Sequence, residues 1–263
     1  MRIADSVAIV TGASSGIGEA IARALAKHGA QVVVVARRAE RLEKLAADIN
    51  GLAGAADLQD RAAPEQIARR AEENFGPVDI LVNNAGIALH KNAADCTLEE
   101  IEQVVDVNFL AAVRITMALL PSMLDRRHGC IVSITSVAGY LPNPGEAAYS
   151  ATKSALGMWT DGLAVDLADR GVHFGVVSPG PIDTEIWQKG AIDAPYAGKK
   201  YPPEVVAHAV VKLVEKEQAL RTAPRRFGLP GAFYPLFRTP MRFGLRTAGR
   251  RMHASAAKKK ARL

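Results

Sequence analysis

Short apolar runs alternate with longer amphipathic ones along most of the chain. Val7–Val10, Gln31–Ala36, Val78–Val82, Cys130–Thr135 and Val172–Val177 are rich in Val and Ile at successive positions rather than at every second one. That pattern predicts strands buried on both faces, as in a parallel sheet. A thinner run, diluted by Gly51, Gly54 and alanines, closes at Asp57-Leu58 and predicts one more strand, third in chain order. The intervening segments carry helical spacing and helical stops. One runs to His28 and ends at Gly29, and Ala62–Phe75 holds Pro64 in its first turn and stops at Gly76-Pro77. Thr97-x-x-Glu100 is a capping box that opens a long helical stretch. A last helix is expected over Pro203–Glu217, followed by a weak strand at Ala219–Ala223. Strands alternating with helices place the chain in the α/β class, as a doubly wound parallel sheet with helices on both faces and right-handed crossovers. The 263 residues suffice for one such domain, assigned to residues 1–220, with 221–263 as an extension.

Chemistry collects at the ends of these runs. Tyr149-Ser150-Ala151-Thr152-Lys153 opens an apolar-periodic segment reaching about Leu167. On a helix, positions i and i+4 share a face, so the phenol and the ammonium point into the same space. A tyrosine is a poor acid, with a model value of about 10. A fixed cation beside it favours the phenolate, which makes the pair a general acid/base. A packed tyrosine beside a solvated lysine would show the same spacing.

The first strand is followed by Thr11-Gly12-Ala13-Ser14-Ser15-Gly16-Ile17-Gly18 and then by a helix. A strand, a glycine-rich turn and a helix start let backbone N–H groups and the helix dipole face a pyrophosphate. At the end of the second strand, where an NAD-binding fold usually places an acid on the ribose, stand Ala36, Arg37 and Arg38. Arginine suits a 2′-phosphate, so NADP(H) is expected over NAD(H), with Arg37 the stronger candidate. The fourth strand ends in Asn83-Asn84-Ala85-Gly86, the long helical stretch holds Asn108 among apolar neighbours, and Ser136 stands just past the fifth strand. The sixth strand runs into Ser178-Pro179-Gly180-Pro181-Ile182-Asp183-Thr184.

With those motifs in order, residues 5–218 resemble the short-chain dehydrogenase/reductase family in its shorter, single-domain form. The resemblance rests on Thr-Gly-x-x-x-Gly-x-Gly at 11–18, Asp57, residues 83–86, Asn108, Ser136, Tyr149-x-x-x-Lys153, and Pro179-Gly180 with Thr184. It implies a Rossmann-type fold and hydride transfer between nicotinamide C4 and a carbonyl or alcohol carbon. Tyr149 is then the proton donor or acceptor, Lys153 tunes it and holds the nicotinamide ribose, and Ser136 binds the substrate oxygen. Asn108 is expected to hold a water that links Lys153 to solvent. Gly12, Gly16, Ile17 and Gly18 cradle the phosphates, Asp57 and Leu58 the adenine, Asn84 the adjoining ribose, and Ile182 with Thr184 the carboxamide. The cofactor expectation extends to Ser14, Ser15, Ala85, Gly86, Pro179 and Gly180 in the same motifs. The segments 137–148 and 186–201 border the pocket; Tyr140, Leu141, Ile186 and Trp187, with few charges nearby, point to an apolar ketone, aldehyde or secondary alcohol. The competing readings are an NADP(H)-binding sensor and a membrane-peripheral protein with little catalysis. The resemblance also implies a homodimer or homotetramer, through 111–124 and 155–167.

Charge and composition refine this picture. From Arg221 onward there are 12 Lys or Arg and no acid, leaving 21 bases against 27 acids in the preceding body beneath the overall +6. In the tail, Arg238, Arg242, Arg246 and Arg250 recur every four residues beside a stripe of Met241, Leu245, Ala248 and Met252. Thr239 and Pro240 can open a helix there, and Lys258–Lys260 reads as a disordered end. A basic amphipathic helix fits peripheral attachment to an anionic membrane; no nucleic-acid module accompanies the charge. Cys96 and Cys130 form neither a zinc set nor a disulfide framework, and six scattered histidines form no metal site, His90 and His173 being ordinary loop and strand residues. The expected location is cytoplasmic, since no leader-like segment precedes the first strand. No apolar run reaches the roughly 18 residues of a spanning helix, 109–120 being interrupted by Arg114.

Overall fold

The computed structural model describes residues 1–188, 198–234, 236–237 and 239–245. Seven strands form one parallel sheet: β1 (Val7–Thr11), β2 (Gln31–Ala36), β3 (Leu52–Ala55), β4 (Ile80–Asn83), β5 (Gly129–Ile134), β6 (Val172–Pro179) and β7 (Leu220–Ala223). Their order is β3-β2-β1-β4-β5-β6-β7, so the winding reverses between β1 and β4. Ligands bind open α/β sheets at such a reversal, beyond the carboxyl ends of the strands. Thr11 stitches it shut below: its hydroxyl donates to Val82 O at 3.2 Å and accepts from Asn84 N and Ala85 N at 2.9 and 3.0 Å.

The period of two in each strand divides the apolar residues between two cores. Ala8 and Val10 with Val32 and Val34 face α1 (Gly16–Lys27), α2 (Ala39–Ile49) and α7 (Glu204–Lys216). Val7 and Ile9 with Val33 and Val35 face the other way, onto α3 (Ala63–Phe75) and α5 (Ala111–Asp125). Both faces are covered, which is why successive rather than alternate positions are apolar. Cys130 is fully buried, and burial pushes its thiol up to about 12.

Between α3 and α5, α4 (Leu98–Val105) starts at the expected capping box, with Thr97 Oγ1 accepting from Glu100 N and Glu100 Oε2 accepting from Thr97 N. A π-helical turn, Asp106–Leu110, joins α4 to α5 and carries Asn108. The stretch Leu98–Asp125 is therefore one helical run of 28 residues, long and apolar enough to cross a membrane on length and composition, which the interrupted apolar run at 109–120 did not foretell. Ile115 and Met123 within it are fully buried in the core beneath the sheet. Two further helices are α6 (Ala147–Asp166) and α8 (Gly228–Phe233).

Several boundaries move. β3 stops at Ala55, so Asp57 and Leu58 lie in the loop beyond it rather than in the strand. Asp79 is turned to Val7 N at 3.0 Å and Arg126 at 2.9 Å, and β4 begins after it. A boundary at 220 would cut β7, whose residues 220–223 pair with 176–179 of β6. Residues 239–245 are helical from Thr239, as expected; Arg238, Arg246, Ala248, Arg250, Met252 and Lys258–Lys260 lie outside the described residues, as do 189–197 of the pocket-bordering segment.

Candidate active site

The carboxyl ends of β1, β4, β5 and β6 open into a cavity of about 530 Å³. Its wall includes every site residue expected from the sequence except Asn108 and Tyr140. Ser136 follows β5 with extended backbone, its hydroxyl accepting from Ala138 N at 3.1 Å. Tyr149 and Lys153 stand on the first turns of α6, with the Lys153 Nζ 5.9 Å from the centre of the Tyr149 ring. Lys153 is buried and donates to Ile134 O at 3.0 Å. Burial lowers its ammonium to about 8, and burial followed by the Glu146 charge raises the Tyr149 phenol, against a smaller lowering from its hydrogen bond with Ser136. Burial thus makes the phenol hold its proton more tightly than a free tyrosine, the reverse of the lowering expected from Lys153 alone.

Asn108 acts from behind the wall. Its Oδ1 accepts from Ile87 N at 2.7 Å, and its Nδ2 donates to Ile87 O at 2.9 Å and to Thr152 Oγ1 at 3.2 Å. It thus ties the loop after β4 to α6. A Cβ on Gly86 would come within 3.3 Å of both Asn108 Oδ1 and Lys153 Nζ, so the three groups converge at one point.

The other end of the cavity is a cradle of backbone. Gly12 has φ +66°, a conformation that side chains rarely adopt. A Cβ on Gly18 would stand 2.3 Å from Gly12 O and 2.6 Å from Asn84 Nδ2, so only glycine lets α1 start this close to β1. Asn84 braces the turn, donating to Thr11 O at 2.9 Å and Gly12 O at 3.3 Å. The Ser15 side chain does not cap α1, which leaves the first N–H groups of the helix facing the cavity. This space, with its helix start and small residues, fits a dinucleotide pyrophosphate. The two arginines both line the cavity but in different settings. Arg38 donates to Ser14 Oγ and Ser15 Oγ at 3.1 and 2.7 Å and to Glu185 at 2.8 Å, whereas Arg37 is exposed and only 4.0 Å from Asp57. Arg41 and Arg38 together hold the Glu185 carboxyl down at about 2.

The far wall holds Leu141, Ile182, Thr184, Ile186 and Trp187, and also Phe227 and Pro230 from beyond β7. Tyr140 is not part of it; its hydroxyl accepts from Ser178 Oγ at 3.1 Å. Three polar residues line this end: His90, which the sequence reading set aside as an ordinary loop residue, and Asn143 and Glu146, which it did not single out. His90 does lie in a loop, but it is buried, at 3% exposure, and 3.0 Å from Glu146. His173, by contrast, is the strand residue expected, its Nε2 3.2 Å from Gln218 O. The one sequence signal for the missed pair was position: Glu146 lies three residues before Tyr149, at the N-cap of α6.

Residues 6–194 match the short chain dehydrogenase family. The chain is 37% identical over 215 residues to the ketoacyl reductase HetN of Nostoc sp., covering 80% of this chain and 75% of that protein. The structure of a 3-ketoacyl-(acyl-carrier-protein) reductase from Brucella melitensis complexed with NADH matches with a TM-score of 0.78 at 31% identity, over 84% of this chain and 97% of that one. A short-chain dehydrogenase from Sphingobium yanoikuyae in complex with NADPH matches with the same score and identity, over 88% and 95%. The chain belongs to the short-chain dehydrogenase/reductase family of oxidoreductases.

Proposed function

We propose that the protein is a nicotinamide-dependent oxidoreductase interconverting a carbonyl and an alcohol, with NADP(H) preferred. The observation that carries this reading is the convergence of Ser136, Tyr149 and Lys153 on one cavity that continues into the glycine cradle at α1. The bound cofactor supplies or accepts the hydride. The glycine turn and the helix start hold its phosphates, Arg38 with Ser14 and Ser15 faces the 2′-phosphate, and Asp57, Leu58 and Asn84 border the adenosine half. Ile182 and Thr184 border the nicotinamide half. Ser136 donates to the substrate oxygen and stabilises the charge that develops there. In reduction Tyr149 gives its proton to that oxygen as the C–H bond forms; in oxidation it takes the proton back. The phenol is protonated at neutral pH even at its ordinary value of 10.0, and the proton affinity that burial adds is offset, as the proton leaves, by the Lys153 charge and the Ser136 hydrogen bond. Lys153 keeps a positive charge beside the forming phenolate and returns a proton to it. Asn108 fixes the backbone around this relay, and a water held there would complete the path to solvent.

The names of the relatives and the lining support one substrate class. A ketoacyl reductase and a ketoacyl-carrier-protein reductase are among the proteins similar to this chain, which favours a keto compound with an apolar portion against Leu141, Ile186 and Trp187. A second copy of the chain fits α5 and α6, where Met117, Met158 and Val165 are exposed. A peripheral membrane contact is supported by Leu236, Phe237 and Phe243, exposed beside Arg242 at the end of the described chain.

Nicotinamide absorbance with NADPH or NADH and a panel of ketones, aldehydes and keto esters tests the reading. Turnover that vanishes in Tyr149→Phe while NADPH still binds supports it; unchanged turnover in that variant overturns it.

A further inference from the structure

His90 has no part in the reaction just described and Glu146 enters it only through its charge near Tyr149, yet both are built into the cavity wall. They are 3% and 4% exposed. His90 Nδ1 lies 3.0 Å from Glu146 Oε1, an ion-pair distance without hydrogen-bond alignment, and neither ring nitrogen has a hydrogen-bond partner among the described residues. Glu146 Oε2 accepts from Asn143 Nδ2 at 2.8 Å. The loops that carry the pair are joined by Lys91 N donating to Gly145 O at 2.9 Å. Trp187 stacks on the imidazole at 5.9 Å with the planes 6° apart, and its own Nε1 donates to Ile182 O. The ring is therefore held by Glu146 at its edge and Trp187 on its face, with polar atoms left over.

Buried polar atoms are almost always paired, and an orphan in a cavity wall calls for a group that completes it. We propose that His90, oriented by Glu146, is a substrate-recognition residue that hydrogen-bonds a second oxygen function of the substrate, beside the carbonyl held by Ser136 and Tyr149. The proposal rests on the reductase reading and narrows its substrate class. Glu146 is the N-cap of α6, three residues before Tyr149, and its charge is felt by the phenol, so the pair lies close to the proton donor. The substrate class is a keto compound with a nearby ester, thioester or hydroxyl oxygen, rather than a hydrocarbon ketone of steroid type. A hydrocarbon ketone would bury the imidazole nitrogens with nothing to bond, and sites of that kind reject analogues lacking the polar group.

The test compares the full-length protein with the double variant His90→Phe/Glu146→Gln on a β-keto ester and on a plain ketone of matched length. The two changes go together so that no carboxylate is stranded. The expected result is a fall of about tenfold or more in the ratio of kcat/KM for the keto ester to that for the plain ketone, with the NADPH Kd unchanged; a change shared by both substrates reports the Glu146 charge removed from beside Tyr149. An equal loss on both substrates, or none on either, overturns the proposal. If the double variant does not fold, His90→Gln is expected to show the same selective loss, reduced in size because an amide still bonds oxygen, and an unselective effect overturns it. If the wild type turns over neither compound, the reductase reading fails separately. Calorimetric titration with the keto ester then decides: binding that weakens in the variant supports His90, and absent or unchanged binding overturns it.

Discussion

Lys153 stands under the Tyr149 ring, 5.9 Å from its centre, yet its hydrogen bond goes to Ile134 O at 3.0 Å rather than to the phenol. The two groups share a dry environment that pulls them in opposite directions, the ammonium down to about 8 and the phenol up. Between pH 8 and the ordinary lysine value of 10.5 the unfolded chain carries a proton at Lys153 that the folded chain has lost. Stability therefore rises with pH across that window, and Tyr149, raised above its ordinary value of 10.0, reverses the trend at higher pH. The urea midpoint of the ligand-free protein should climb from pH 8 to 10, and Lys153→Met should remove the climb. In the reductive direction kcat/KM should fall as pH rises through about 8, as the free protein loses the Lys153 charge.

Glu185 competes for Arg38. The guanidinium that faces the Ser14-Ser15 turn is already paired to this carboxylate at 2.8 Å. Arg38→Ala should raise the NADPH Kd about ten- to a hundredfold with little change for NADH. Arg37→Ala should do less, because Arg37 projects outward. Glu185→Gln should tighten NADPH binding by releasing Arg38. Fluorescence titration with the two cofactors reads all three.

Gly18→Ala places a methyl group against Gly12 O, a backbone atom that cannot yield without moving β1 or α1. The substitution should cost about 1–3 kcal/mol of stability and abolish tight NADPH binding. Thermal unfolding with and without NADPH separates the two effects.

Thr97→Ala removes one half of the capping box while Glu100 keeps its ion pair to Lys91 at 2.8 Å. Loss of an N-cap of this kind costs about 1 kcal/mol. Chemical denaturation should show that loss with the catalytic constants unchanged, since the cap lies outside the cavity wall.

Contact with an anionic membrane is best tested in the intact chain. Truncation at residue 220 would remove most of β7 and, with it, Phe227 and Pro230 of the cavity wall. Leu236, Phe237 and Phe243, which are 76%, 54% and 74% exposed, should be replaced together by serine. Reduced pelleting with phosphatidylserine vesicles is the expected outcome, and pelleting equal to wild type counts against a membrane role for this patch.

The sequence by itself determined the strands, the sheet class and the motif residues. Successive Val and Ile in 31–36 can be buried only between two layers, and a glycine-rich turn between a strand and a helix has few other uses. The Tyr149–Lys153 spacing fixed which face of α6 looks into the cavity. What only the tertiary structure decided depends on contacts distant in sequence. Arg38 rather than Arg37 meets the Ser14-Ser15 turn because the chain leaves β2 with one side chain inward and the next outward. Tyr140, close to Tyr149 in sequence, is drawn away to Ser178 on a neighbouring strand. Asn108 and Ile87 meet across 21 residues, and His90 and Glu146 across a loop closure that no periodicity announces. Local pattern fixes local geometry; burial, and the proton affinities it sets at Tyr149 and Lys153, exists only once the layers have closed.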